Sequence, residues 1–381
     1  MITYDVIVLG TGGVGSAAAF HLAQRGKRVL GLDRFPGGHD RGSSHGQTRI
    51  IRKAYFEHSD YVPLLNRAYE LWAELEEFSM EKLYHEVGLV EIGPRDGVVV
   101  PGVLASAREH NLRVDELTHA EVSSRFPGYH VPNGSVAVFE QNAGYLHVER
   151  CVLAHLAAAS KHGAELRTDE TILDWQAGDA GVRLRTDKNS YSAQSLVITA
   201  GAWSNQLLAN LGVRFRVLRK HLHWYESSAP CYQEANGCPA FFFETPAGYF
   251  YGFPQVDDRG VKVADHTGGT EIGDPLNDEK STEVEDVKRV EKFLAEHLPG
   301  VSNTAYQHAV CYYTMSPDEH FIVDRHPEYA SVVFAAGLSG HGFKFTSVLG
   351  EILAELVVNE STRMPIEFLG CQRRSLLRRR V

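Results

Sequence analysis

The sequence predicts a mixed α/β (α+β) fold: a nucleotide-binding domain assembled from separated segments, with a second, β-rich domain inserted into it. Three observations carry this expectation. The chain opens on a continuous apolar run, residues 4–9, that breaks at once into a cluster of glycines and then a helical pattern. Apolar runs of the same kind, suited to buried parallel strands, return far downstream at 196–199 and 332–336. Between these α/β pieces lie stretches, about 83–145 and 220–311, that read as short extended and aromatic segments. Such alternation marks one domain interrupted by another.

Taken in order, residues 4–9 form the first strand, and residues 16–24 read as a helix through their alanines and Leu22. Gly26 ends that helix and residues 28–32 form a second strand, which completes a βαβ unit. A longer helix is predicted from near Asp60 to Glu77. There Tyr61, Leu64, Leu65, Ala68, Leu71, Trp72 and Leu75 recur at helical spacing and Asp60 is placed to cap the first turn. A helix over 148–162 closes at Gly163, followed by strands at 165–168 and 196–199. The strand at 332–336 leads through a glycine-rich turn into a last helix, about 343–358. The expected partition is 1–84, 145–220 and 320–381 for the nucleotide domain, and 85–144 and 221–319 for the inserted one.

Composition narrows the function. A chain of 381 residues with 43% hydrophobic and 23% charged residues can bury the core of an ordinary two-lobed globular protein. The formal net charge of −10 argues against nucleic-acid binding. Five arginines between Arg373 and Arg380 read as a solvated end. The five cysteines are odd in number and lack zinc spacing, so no metal site is expected and a reducing compartment fits best. With no secretory pattern and no run of about 20 apolar residues, the expectation is a soluble, cytoplasmic protein.

The glycines carry the first chemical signal. Gly10-Thr11-Gly12-Gly13-Val14-Gly15 is a GxGxxG motif that follows a strand and opens a helix. Its glycines allow a tight turn and close approach of backbone to a pyrophosphate at the positive helix end. Asp33, 18 residues past Gly15 at the end of the second strand, is placed to hold ribose hydroxyls. This is a Rossmann-like dinucleotide site, and the motif alone does not separate NAD from FAD.

The next segment is Gly42-Ser43-Ser44-His45-Gly46-Gln47-Thr48-Arg49-Ile50-Ile51-Arg52. If it is even partly helical, His45, Arg49 and Arg52 share one face. Three cations there would repel one another unless an anion sits among them; the plainer alternative is a solvated basic turn. Further on, Lys262, Ala264 and His266 alternate along a predicted strand and so point the same way. Buried cations are costly, which makes a lysine beside a histidine on one face notable. Cys311, in an apolar stretch, reads by itself as an inert core thiol. Phe241, Phe242 and Phe243 fit either an apolar pocket or a core strand, with the core strand favoured.

Four motifs in order along nearly the whole chain resemble the monomeric sarcosine oxidase and N-methyltryptophan oxidase family of flavoproteins. They are 42–52 with Tyr61-Val62-Pro63-Leu64; Tyr251-Gly252-Phe253-Pro254 with 261–266; Cys311-Tyr312-Tyr313 with Ser316-Pro317-Asp318-Glu319-His320-Phe321; and 337–345. The resemblance implies an FAD-dependent oxidase of secondary-amine amino acids that passes electrons to oxygen and releases hydrogen peroxide. It implies a thioether from Cys311 to the flavin 8α-methyl, and cofactor contacts from Ser43, Ser44, Gly340, Gly342 and Phe343. Lys262 would sit over the flavin ring at the oxygen site, and His266, Tyr251 and Tyr313 would line the substrate side. Arg52 and Lys344 would clamp the substrate carboxylate, while Arg49 and His45 contact the flavin from the other side. A monomer is expected on the same ground. N-methyl, cyclic and sugar-modified amino acids remain open as substrates. The rival readings are an NAD(P)-dependent dehydrogenase, a non-catalytic nucleotide module, and a flavin dehydrogenase that passes electrons to a protein acceptor.

Overall fold

The computed structural model describes residues 3–377. Two large sheets and one small one divide the chain. In the first sheet, Thr3–Leu9 lies parallel between Val29–Leu32 and Ser190–Ile198. Glu165–Arg167 and Val332–Ala336 extend it in parallel on either side. Thr3–Leu9, Val29–Leu32 and Val332–Ala336 are nearly all buried because helices cover the parallel sheet, whereas the edge strand Glu165–Arg167 is not. On one face the helix Gly13–Gln24 packs against Thr346–Asn359 so closely that a Cβ on Gly350 would meet the Cβ of Ala17 at 2.5 Å. The N-terminal βαβ unit is therefore as expected, with the helix starting at Gly13 rather than Ser16.

The second sheet has nine strands, mostly antiparallel, drawn from within 89–140 and 216–315. Its strand Arg216–Ser227 lies wholly in this sheet, so residues 216–220 go with it. The order along its centre is Arg216–Ser227, Val261–Asp265, Gly248–Phe253, Ala240–Thr245 and Leu89–Pro94. Alternation sorts side chains to two faces. Val261 and Val263 join a core with Phe241, Phe243 and Phe293. Ala264, Tyr251, Phe242, Cys311 and Tyr313 take the other face. Phe242 thus parts from its two neighbours, and the expectation of a wholly core Phe241–Phe243 run is corrected.

Four further expectations change. The 42–52 segment is not helical: Thr48–Ile51 is a strand, paired with Gly144–His147. His45, Arg49 and Arg52 therefore do not share a helical face. The helix Tyr61–Ser79 has no side-chain cap from Asp60, whose backbone is itself helical. The last helix begins at Thr346 after a single 3-10 turn, Phe343–Phe345. Of the arginine-rich end, Arg373 is not solvated. It donates to both oxygens of Asp318 at 2.7 Å and to the carbonyls of Leu369 and His320. Arg378, Arg379 and Arg380 lie outside the described residues. Among the described residues no helix is long and apolar enough to cross a membrane, and no group of His, Cys, Asp or Glu is arranged to hold a metal ion.

Candidate active site

One elongated cavity runs from the glycine turn of the first sheet to the mixed face of the second. At its first end the glycines have no room for side chains. A Cβ on Gly15 would lie 1.8 Å from the Gly10 carbonyl, and one on Gly10, whose φ is +81°, would lie 2.5 Å from the Thr199 carbonyl. The turn is therefore held tight and the Gly12 and Gly13 backbone is bared at the helix start. Asp33 accepts from the Thr11 N–H at 2.7 Å and the Phe35 N–H at 3.0 Å, so the acid fixes both walls of this end. Ser44 Oγ accepts from the Gly13 N–H at 3.1 Å, and Ser43 Oγ donates to the Tyr312 carbonyl.

Further along, Gly340, Gly342 and Phe343 line the wall. Gly340 adopts φ +83° and a Cβ there would strike the Tyr313 ring at 2.4 Å. At the far end Arg49, Arg52, Glu57, Phe242, Tyr251, His266, Tyr313 and Lys344 converge. Arg49 donates to the carbonyls of Thr48 and Ser43. His266 Nδ1 lies 3.1 Å from the Tyr313 hydroxyl, and burial pulls its imidazole down to about 3. Burial also raises both Tyr251 and Tyr313, so these three groups are neutral near pH 7.

Arg52 and Lys344 come together from opposite ends of the chain. Arg52 donates to both oxygens of Glu57 at 2.9 and 2.8 Å and to the Ala54 carbonyl, with Nε 3.5 Å from Glu91. Lys344 Nζ donates to the His341 carbonyl at 2.9 Å and lies 3.4 Å from the Tyr55 hydroxyl; burial, with the nearby Arg52 charge, brings it down to about 7. Burial is the largest influence on Glu57 and raises it, but the Arg52 charge and hydrogen bonds together with His341 and Lys344 outweigh it and hold the acid down at about 2.

Four of the expected residues do not line the cavity: Gly15, His45, Lys262 and Cys311. Gly15 acts from within the turn. His45 is buried, and burial followed by the Arg49 charge lowers it to about 4. Lys262 is almost wholly buried, with its ammonium on the Gly46 carbonyl at 2.5 Å, the Thr48 carbonyl at 2.8 Å and Thr48 Oγ1 at 3.2 Å. It shares a sheet face with Ala264 as predicted, although His266 follows just after the strand. Cys311 is buried on the same strand face as Tyr313, two residues on.

Glu57, Glu91, Tyr55 and His341 belong to this end without having been assigned to it from the sequence, and Phe242 is the one of the three adjacent phenylalanines that lines the cavity. Only Glu91 left a visible mark, as an acid inside the apolar strand Leu89–Pro94.

The cavity suits FAD. Its glycine turn and helix start match a pyrophosphate, and three polar atoms on its wall (Arg34 Nη1, Thr314 Oγ1 and Thr346 Oγ1) are buried without a partner in the protein. Residues 5–356 match the family described as FAD dependent oxidoreductase. The chain belongs to this FAD-dependent oxidoreductase family.

Monomeric sarcosine oxidase from Arthrobacter sp. is 39% identical to it over 377 residues, covering 98% of this chain and 97% of that protein. N-methyl-L-tryptophan oxidase from Yersinia pestis is 38% identical over 353 residues, covering 92% and 94%. The solved structure of NikD, an amino acid oxidase essential for nikkomycin biosynthesis, superimposes with a TM-score of 0.85 at 27% identity, over 97% of this chain and 98% of that one. Full-length likeness to flavin enzymes of the FAD-dependent oxidoreductase family sets aside the NAD(P)-dehydrogenase and non-catalytic readings.

Proposed function

We infer that this protein is an FAD-dependent oxidase of small amino acids whose amine is secondary, with oxygen as the electron acceptor and hydrogen peroxide as a product. The observation that carries the substrate class is the convergence of Arg52 and Lys344 on a cavity end that neutral His266, Tyr251 and Tyr313 also line, with Arg49 and Glu57 beside them. A guanidinium and an ammonium at one spot match a carboxylate, since the planar fork gives two parallel bonds and the lysine adds a point charge. FAD, when bound, supplies the acceptor for the hydride removed from the carbon beside the nitrogen.

The protein supplies position and charge. Fixing the carboxylate orients the amine end, which contributes much of the rate in such a reaction. The amine has to be neutral when the hydride leaves. Arg49, Arg52 and Lys344 and three neutral ring groups around it disfavour its ammonium form, opposed among the cavity-lining groups of this end only by Glu57. His266, a neutral imidazole held by Tyr313, can accept a hydrogen bond from that amine. Burial, then the Arg49 charge, pulls Lys262 well below the ordinary lysine range, while its three oxygen partners are those that an ammonium satisfies and so favour the charged form. Such a charge stabilises the negative charge that builds as oxygen is reduced. Cys311 is the group for a covalent flavin link: it lies on the Tyr313 face, and its strand borders the cavity through Tyr312, Tyr313 and Thr314. His45 and Arg49 flank the cofactor, and the protein works as a monomer.

The test is an absorbance spectrum before and after acid precipitation, followed by a peroxide assay against N-methyl and cyclic amino acids. A yellow pellet from wild type and a yellow supernatant from Cys311→Ser are expected, with peroxide released by wild type. Flavin in the wild-type supernatant removes the covalent link, and absence of substrate-dependent peroxide removes the oxidase reading.

A further inference from the structure

The carboxylate clamp contains an acid that its own geometry leaves without a hydrogen bond. Glu91 is fully buried, and neither of its carboxylate oxygens has a hydrogen-bond partner in the protein. It sits on the strand Leu89–Pro94 directly beside Phe242 of the neighbouring strand, in register, so both side chains stand on the face that floors the cavity. Arg52 lies between Glu91 and the cavity, with Nε 3.5 Å from Glu91 Oε1 while its Nη2 holds Glu57.

The charged groups that face Glu91 come from four elements. They are Arg52 at the end of the strand Thr48–Ile51, Glu57 in the loop after it, Glu140 on the strand Ser135–Glu140, and Lys344 on the turn Phe343–Phe345. Glu140 accepts from the N–H groups of Lys53 and Ala54. Two cations thus meet three carboxyl groups in a buried space. A substrate carboxylate arriving on Arg52 is a fourth. Buried charge of one sign in excess is removed by protonation, and Glu91 is the member with no bond to lose. Burial already pushes it up to about 8.

We propose that Glu91 is a positioning residue of the clamp that carries a proton whenever Arg52 holds a substrate carboxylate, so that anion binding is linked to proton uptake. Glu91 braces Arg52 through Nε and stays off the Nη edge, where an arriving carboxylate takes the place of Glu57. The proton on Glu91 keeps that edge from being shared with a second buried anion. The inference rests on the clamp reading above and adds a pH-dependent grip on the substrate.

The probe is methoxyacetate, which keeps the carboxylate and replaces the amine by an ether oxygen that neither titrates nor is oxidised as an amine. Its dissociation constant is measured on holoenzyme from pH 6 to pH 9 by the change in flavin absorbance, for wild type and Glu91→Gln. Lys344 titrates in both proteins, so their ratio isolates Glu91. The ratio of wild-type to variant dissociation constants is expected to climb toward about tenfold per pH unit above about pH 8.

Calorimetric titration of both proteins, in two buffers of different ionisation enthalpy, counts the protons directly. Near pH 8, wild type is expected to take up more proton on binding than Glu91→Gln, in which Lys344 alone remains to accept it. A ratio that stays constant with pH, or equal proton uptake by the two proteins, overturns the role of Glu91 while leaving the clamp intact. Failure of methoxyacetate to bind at any pH, or binding undiminished in Arg52→Gln, overturns the clamp itself.

Discussion

Replacing Arg52 with glutamine is the sharpest test of the site, because every donor edge of this guanidinium is accounted for. It gives one bond to the Ala54 carbonyl, two to Glu57 and an ion contact to Glu91. A substrate carboxylate that takes the Nη edge gains two charge-assisted bonds of about 1.5–3 kcal/mol each. It must first displace Glu57, whose two bonds are of the same kind, so only part of that gain survives. A net of about 2–4 kcal/mol corresponds to a loss of about 30- to 1000-fold in kcat/KM on substitution. The assay is steady-state peroxide release with an N-methyl amino acid and with the matching N-methyl amine that lacks the carboxylate. The loss has to fall on the carboxylated substrate. Equal losses on both substrates, or a loss below about threefold, would refute the reasoning. Thermal unfolding is followed in parallel, since orphaning Glu57 and buried Glu91 is expected to cost about 3–5 kcal/mol of stability.

Other consequences follow from the same geometry. Glu91 is raised from 4.5 to about 8, so between those values the folded protein keeps a proton that the unfolded chain has released. Wild-type stability therefore falls as pH rises through that window, and ligand-free Glu91→Gln should gain on wild type from about pH 4.5 to pH 8, by at most about 5 kcal/mol, in denaturant titrations. Lys262→Met should slow flavin reoxidation by oxygen in stopped-flow while substrate-driven reduction persists. Its stability cost should stay within about 1–3 kcal/mol, because the Gly46 carbonyl still accepts the Thr48 N–H and the Thr48 carbonyl still accepts Arg49. Gly10→Ala, at φ +81° and 2.5 Å from the Thr199 carbonyl, should lower stability by more than about 1 kcal/mol and weaken FAD reconstitution measured by fluorescence quenching.

How far the site was legible differs from residue to residue. The glycine turn, Asp33 and the first two strands were readable because sterics and period-two burial act over a few neighbouring residues. Lys262 and Ala264 were assigned to one face on the same ground. The conformation of 42–52 was not legible, since basic residues spaced four and three apart are equally compatible with a helix, a strand and a loop. What decided it was pairing with Gly144–His147, about a hundred residues away. Phe241–Phe243 was favoured as a single core run, yet Phe242 faces the cavity because the sheet has a different occupant on each face.

The sequence by itself determined the family and the nucleotide turn through local pattern and ordered motifs, and by resemblance it pointed to Arg52 and Lys344 as the cations of the proposed clamp. Only the tertiary structure decided what those cations meet. It placed Glu57 on Arg52, left Glu91 buried without a hydrogen bond, and brought Lys344 beside both. The physical reason is range. Backbone sterics and side-chain periodicity are set within a few residues, whereas the charge state of a buried group depends on every group packed around it, and packing gathers those from distant parts of the chain.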